Sequence, residues 1–380
     1  MKYKLTALTP LLVGDGQQLS PIDYMVWKDQ VNVLDQPRIF KLLSRGPRLD
    51  GYLTQLRKAG KLDFASWGGF AQNFSARRIP FEHSSSTDIW NKTPAEQLFI
   101  PTFASNHEGA YLPGSAIKGA LRTGLVFSRW SPATIGKLAS SLEGERIPRR
   151  LSEAPEAQAG ASQVRILAAA DSDVAPRSSF RVFVTRVANL DSRPGAAPTT
   201  SWKVEGRGNV PSSRLPDSTP TFAEMAAPGT EFAGSFFERH FLQDPQLLKA
   251  LGWRSEPDTA LLVKAANEYA AAQLEQHAGF AESAGLPRLQ QSIAQLQGQL
   301  ETTKAAGGSC LLCLGWGGGF TSKSSAIASE GEQLQKLLRN VPSFGRAFKP
   351  GSLFPKTRRI VFATGQPAYL PGWVKLDLLA

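Results

Sequence analysis

A Pro-Gly turn that runs straight into a small, apolar and basic helix is the feature that most constrains this chain. The stretch is Tyr111-Leu112-Pro113-Gly114-Ser115-Ala116-Ile117-Lys118-Gly119-Ala120-Leu121-Arg122-Thr123. Ser115 stands where a helix cap is expected. Ile117, Leu121 and Leu125 recur every four residues as a core stripe, and Lys118, Arg122 and Arg129 line the adjoining face. Gly119, Ala120 and Gly124 keep one side of the helix thin, so another backbone, protein or nucleic acid, can come close. The unpaired N–H groups of the helix start offer a partial positive charge to phosphate. The same spacing also suits an ordinary amphipathic helix with solvated cations, and the helix alone leaves both readings open.

The 380 residues are enough for two domains, and 42% hydrophobic content supports real cores. With 43 Lys+Arg against 32 Asp+Glu the net charge is +11, and the arginine clusters suit phosphate, which a planar guanidinium can hold through two oxygens. No apolar run approaches the roughly 20 residues that span a bilayer. The opening residues alternate like a strand, without the apolar core or cleavage site of a secretion signal, so a cytoplasmic protein with no membrane partner is expected. Cys310 and Cys313 form a lone CxxC. His83, His107, His240 and His277 have no spacing that completes a zinc site, and the apolar neighbours predict a buried strand with structural thiols. No metal and no cofactor are expected.

Strands are predicted over 3–13, at a hairpin of 24–28 with 31–34, and over 77–82 and 98–103, with helical patterns at about 37–58 and 114–129. Further strands are expected at 164–170, 180–187, 230–237, 310–314 and 359–363. The segment 191–220, which holds Lys203, Arg207 and Arg214, has few residues able to build a core and reads as a long loop. Residues 244–303 carry Ala, Leu, Gln and Glu at helical spacing, and a further helix is expected at 326–340. The order implies an α+β fold with helices on one face of the sheet, as in ferredoxin-like domains. The expected division is an N-terminal domain over 1–130, a connecting insertion over 131–163, and a second domain over 164–243 and 307–380, interrupted by a helical insertion at 244–306.

The loop Gly315-Trp316-Gly317-Gly318-Gly319-Phe320-Thr321-Ser322-Lys323-Ser324 invites comparison with a nucleotide-binding P-loop. Ser322, however, stands where the second glycine must curl the backbone round phosphate. A loop whose N–H groups and Lys323 meet a nucleic-acid backbone fits better, with Trp316 and Phe320 able to stack on bases. A β-turn whose aromatics belong to the core remains the alternative. The pairs Arg77-Arg78, Arg149-Arg150 and Arg358-Arg359, the last with Lys356, recur beside strand-like runs and together favour a groove that tracks a phosphate backbone. Asp171 with Asp173, and Asp23 with Asp29 and Asp35, read mostly as turn residues. No Ser/His/Asp or Cys/His spacing is distinctive of catalysis.

Four separated pieces carry a family resemblance. They are Leu-Thr-Pro-Leu-Leu-Val-Gly-Asp-Gly (8–16), the helix start at 111–122, Leu-Gly-Trp-Gly-Gly-Gly-Phe-Thr-Ser-Lys (314–323), and Pro-Lys-Thr-Arg-Arg (355–359) with Leu-Pro-Gly-Trp-Val-Lys-Leu (370–376). The chain resembles the RAMP superfamily of CRISPR effector proteins, most closely the fifth Csm-type subunit of type III-A complexes. The resemblance implies two ferredoxin-like (RRM-related) domains with an inserted helical lobe. It also implies a subunit that caps the 3′ end of the CRISPR RNA (crRNA), in a complex that recognises target RNA and contains other RAMP subunits. The resemblance also implies support of crRNA maturation through host nucleases. By motif, Gly14, Gly16, Gly114, Ser115, Lys118, Arg122, Gly317, Gly318, Gly319, Ser322 and Lys323 would contact RNA. Asp23 resembles the acid with which related backbone subunits cut target RNA, whereas the capping subunit is regarded as non-cleaving. The rivals are a RAMP ribonuclease that cleaves target or precursor RNA, either Asp23-dependent and metal-requiring or His-based, and a module that docks another protein through 244–303.

Overall fold

The computed structural model describes residues 1–46, 48–58, 60–62, 73–141, 154–191, 197–206, 210–325, 339 and 354–379. Apart from Arg339, the helix expected at 326–340 lies outside the described residues, as do Arg207 and the pair Arg149-Arg150. The N-terminal part holds β1 (Lys2–Ala7), β2 (Gln18–Leu19), β3 (Tyr24–Val26), β4 (Gln30–Leu34), α1 (Gln36–Leu43), α2 (Leu49–Arg57), β5 (Ser75–Pro80), α3 (Ser85–Lys92), β6 (Ile100–Pro101), α4 (Gly114–Phe127) and α5 (Pro132–Ser141). There follow β7 (Leu167–Ala169), β8 (Phe180–Asp191), β9 (Thr199–Trp202), β10 (Thr221–Ala226), β11 (Glu231–Glu238), α6 (Pro245–Ala250), α7 (Thr259–Ser283), α8 (Pro287–Ala306), β12 (Ser309–Cys313), β13 (Thr357–Ala363), β14 (Gln366–Tyr369) and β15 (Trp373–Leu379).

Alternation in β1 turns Tyr3, Leu5 and Ala7 to one face. That face is buried because β1 is hydrogen-bonded between β15 and β11, in an antiparallel sheet of order β12-β15-β1-β11-β7. The first strand therefore completes a sheet whose other members all come from beyond residue 160, and the division expected at residue 130 is not a sheet boundary. A second antiparallel sheet runs β10-β8-β13-β14, with β9 also on β8. The hairpin expected at 24–34 forms β3 and β4, joined by β5 in a smaller sheet.

The expected helical segment is α6 to α8, and it is packed into the body of the protein. Leu262 and Ala266 of α7 join the core beneath α4 and the first sheet, with Ile117, Leu121, Leu125, Leu5 and Phe232. Ala270, Leu274 and Phe280 join the core of the second sheet, together with Leu289, Ile293 and Leu296 of α8. A helix of 25 residues is roughly 37 Å long at 1.5 Å per residue, long enough to serve both cores. Asn267 of α7 also finishes the edge of the first sheet. Its Nδ2 donates to Ser309 O at 2.9 Å, and its Oδ1 accepts from Leu311 N–H at 3.1 Å, satisfying backbone groups that an edge strand leaves open.

Several expected elements differ in extent. The helical pattern at 37–58 forms two helices, α1 and α2. The run at 164–170 is a 3-10 helix (Ala159–Ile166) before it becomes β7. The segment 191–220 is less open than its composition implies. Trp202 of β9 is buried, and buried Arg186 of β8 donates to Leu215 O at 3.0 Å and to Ser218 O and Oγ.

Candidate nucleic-acid interface

Pieces that are far apart in sequence are brought together by backbone hydrogen bonds. Trp316 N–H donates to Leu12 O at 2.8 Å, Leu314 N–H to Gly372 O at 2.8 Å, and Gly372 N–H to Pro10 O at 2.9 Å. The opening motif, the glycine loop and the C-terminal Pro-Gly-Trp thus form one tie. Gly315 is obligatory there: its φ is +74°, and a Cβ would lie 2.1 Å from Leu12 O. This conserves space for the protein's own backbone, whereas Gly14, Gly16 and Gly319 are exposed.

The far side of the glycine loop rests on α7. Tyr269 Oη donates to Thr321 O at 2.7 Å and to Ser324 O at 2.9 Å, and Gln273 Nε2 donates to Thr321 O at 2.6 Å. Nδ1 of His277 accepts from Nε of Arg358 at 3.0 Å, and its Nε2 faces Thr321 Oγ1 at 3.5 Å. Tyr269, Gln273 and His277 recur every four residues, so one face of α7 grips the loop. Sequence reasoning missed this grip, because polar residues at core spacing read as solvated until their partners are known. Gly317, Gly318, Phe320 and Thr321 line a small recess with His277, Arg358 and Trp373.

Arg358 is a correction to the expected basic surface. It is 5% exposed, lies 4.9 Å over the Phe280 ring, and donates to Pro355 O at 2.6 Å and Thr357 O at 2.9 Å. Burial pushes its guanidinium down to about 10. It sits inward because alternate residues of β13 face the α7–α8 layer. Its neighbour Arg359 covers the Trp316 ring at 4.2 Å and donates to Thr185 Oγ1 at 3.0 Å. Trp316 is half-buried against the first core, and Phe320 meets Phe354 edge-on with centroids 5.3 Å apart. Both aromatics thus already have partners within the fold. Lys356 lies 3.8 Å from Asp191, and Lys323 is exposed, while the Ser322 hydroxyl donates to Gly319 O at 3.2 Å.

Arg77 is likewise committed inside. Its two terminal nitrogens reach Glu224 Oε1 at 2.8 Å and Oε2 at 3.0 Å, and Glu224 is 1% exposed. Burial raises the Glu224 pKa while Arg77 works against that rise. Arg78, next in β5, is exposed.

The Pro-Gly helix is where the cations stand open. Ser115 does not cap it. Pro113 holds the cap position, and Gly114 N–H donates instead to Asp171 Oδ1 at 2.9 Å, so a carboxylate from the β7 loop already occupies the helix start. The core stripe is as expected, with Ile117, Leu121 and Leu125 buried. The thin side is divided. A Cβ on Gly124 would lie 2.9 Å from Ala266 Cα, so α7 packs there, while Gly119 is open. Arg129 turns inward to Gln163, and Arg122 is exposed, touching Glu156 O at 3.3 Å. Lys118 is half-buried, and its ammonium is pushed below its ordinary value by burial and by the charges of Arg239 and Arg165. Those two arginines, both exposed, come from the ends of β11 and of the 3-10 helix before β7. They escaped sequence reasoning because neither belongs to a motif or a basic run.

Asp23 sits in a turn. Its Oδ2 accepts from Ser20 N–H at 2.7 Å and Ser20 Oγ at 2.6 Å. Cys310 and Cys313 lie in and at the end of β12 as free thiols, and burial pushes both up to about 12. Among the described residues no group of three or more His, Cys, Asp or Glu could hold a metal ion. No helix among them is long and apolar enough to cross a membrane.

Comparison with known proteins places this geometry in context. The RAMP superfamily profile matches residues 4–233. The CRISPR system Cms protein Csm5 of Methanocaldococcus jannaschii is 22% identical over 142 residues, 34% of this chain and 31% of that protein, so the match spans about a third of the relative's length. Among solved structures, a chain of the cryo-EM Csm-crRNA-target RNA ternary complex of a type III-A CRISPR-Cas system has a TM-score of 0.64 at 18% identity. That likeness covers 99% of this chain and 100% of the other. The crystal structure of T.onnurineus Csm5 gives 0.59 at 18% identity, covering 98% and 99%. The likeness extends over the whole fold, curled antiparallel sheets and helical segment included.

Proposed function

This chain belongs to the RAMP superfamily, and on that premise we propose that it is the Csm5-type RNA-binding subunit of a type III-A CRISPR effector. In this reading it caps the 3′ end of the crRNA and supports crRNA maturation and RNA-guided defence in the cytoplasm. Its partners are crRNA, target RNA, other RAMP subunits and, during maturation, host nucleases. The observation that carries the reading is the grouping of Lys118 with Arg165 and Arg239 on the shoulder of the Pro-Gly helix, with exposed Ser115 and Arg122 on the same helix. Burial and the charges of Arg239 and Arg165 push the Lys118 ammonium below its ordinary value. An anion beside it relieves that, and a phosphate backbone supplies a row of anions. Gly14, Gly16, Gly319 and Lys323 extend the candidate surface along exposed loops.

The role is non-catalytic. Asp23 holds a turn through Ser20, which gives its carboxylate a structural task. The test is to purify the tagged chain from its host, sequence the RNA that accompanies it and identify the accompanying proteins. Guide RNAs with a shared 5′ repeat tag, together with other RAMP subunits, are the expected result. A lone protein without RNA overturns the reading.

A further inference from the structure

The two most exposed aromatic rings among the described residues are Phe237, in the last turn of the pleat of β11, and Phe241, in the 3-10 helix (His240–Gln243) that follows. They are 63% and 61% exposed. Alternation in β11 sends Phe236 to the core and Phe237 to the opposite face. Across the strand pair Phe237 meets Ala168 of β7, a side chain too small to cover a ring. The two rings flank Arg239, two residues to either side. Arg239 N–H donates to Ile166 O at 2.8 Å, which brings it beside Arg165. The Pro-Gly helix starts on the same strand, since a Cβ on Gly114 would lie 2.5 Å from Ala170 O, and Lys118 stands one turn further along it. The acid next to this group, Glu238, is engaged elsewhere: its Oε1 accepts from Thr259 Oγ1 at 2.7 Å, and its Oε2 lies 3.6 Å from His240 Nε2.

Rings interleaved with cations narrow the occupant. The centre of a protein interface is depleted in charge, whereas here the cations stand between and beside the two rings. An unpaired nucleic-acid strand matches both features, because each nucleotide brings one phosphate and one base with a π-face. A duplex keeps its base faces inside the stack and can meet the cations alone.

We propose that this shoulder holds an unpaired stretch of RNA by stacking bases on Phe237 and Phe241, with Lys118, Arg165 and Arg239 on the phosphates between them. The proposal rests on the RNA-binding reading above and adds the contact that selects a single strand. The test uses the full chain with three labelled ligands: a short single-stranded RNA, an abasic oligonucleotide of equal length and charge, and a blunt RNA duplex. The single strand is expected to bind about tenfold more tightly than the abasic one. Phe237→Ala and Phe241→Ala, both at exposed positions, should each lower affinity for the intact strand by about fivefold or more while leaving abasic binding and its salt slope unchanged. Equal binding of intact and abasic strands overturns the stacking contact alone, as does equal binding of the duplex or a preference for bases that survives both substitutions. Loss of an accompanying protein from the double variant, with RNA affinity unchanged, also overturns it and gives the two rings to a protein partner. Failure of all three ligands to bind overturns the RNA-binding reading along with it.

Discussion

Nε of Arg358 donates to Nδ1 of His277 at 3.0 Å, with the histidine 3% and the arginine 5% exposed. The acceptor role requires a neutral imidazole, whose Nε2 proton then faces Thr321. One strand of the second sheet is thereby linked to α7 and to the glycine loop. The same buried cation makes protonation of His277 unfavourable: burial, and then the charge of Arg358, hold its pKa well below the ordinary 6.5.

Acid should therefore weaken the fold through His277. A histidine held neutral in the native state takes up a proton below about pH 6.5 only when unfolded. Stability is thus complete above that pH and falls by about 1.4 kcal/mol per unit below it. Denaturant midpoints measured at pH 7.5 and pH 5 should show the wild type losing roughly 2 kcal/mol more than His277→Gln, which keeps an acceptor for Arg358 but cannot titrate. Parallel pH profiles for the two proteins would refute this.

Arg77 and Glu224 form a second internal pair, and its removal in halves should be unequal. Arg77→Met leaves a buried carboxylate without its cation, at a cost of about 3 kcal/mol or more. Adding Glu224→Gln removes the charge and should recover most of that loss. A double variant as unstable as the single one would show that packing, not charge, dominates at this site.

The sequence disclosed the helix expected at 114–129, which forms over Gly114–Phe127, its core stripe and the buried CxxC strand, because each rests on short-range periodicity. It could not disclose that β1 closes a sheet with β11 and β15, since strand pairing across 225 or more residues leaves no local trace. The basic pairs misled for a related reason. Arg358 and Arg359 are adjacent, yet a strand sends them to opposite faces, one against Phe280 and one over Trp316. Arg165 and Arg239 carry no motif, and only folding places them beside Lys118.

Gly124 marks where α4 and α7 meet. A methyl group there would approach Ala266 Cα to 2.9 Å and Ala266 N to 3.1 Å, and backbone cannot swing aside as a side chain can. Gly124→Ala should cost about 1–3 kcal/mol by overpacking, seen as a lowered thermal midpoint. Gly119→Ala, with open space around the new methyl, should raise stability by about 0.5–1 kcal/mol through helix propensity. If both substitutions moved the midpoint in the same direction, the helix crossing would be wrongly placed.

Salt dependence separates the cationic cluster from the arginines turned inward. For a single strand the logarithm of affinity falls with the logarithm of salt by about 0.7 for each phosphate neutralised. Lys118→Gln combined with Arg239→Gln should therefore lower the slope for an RNA oligonucleotide by about 1 to 1.5. Arg358→Gln should leave the slope unchanged while destabilising the fold, because its guanidinium serves Phe280, His277 and two carbonyls inside the protein. Should the slope survive the loss of Lys118 and Arg239, the backbone of the RNA must run along another face.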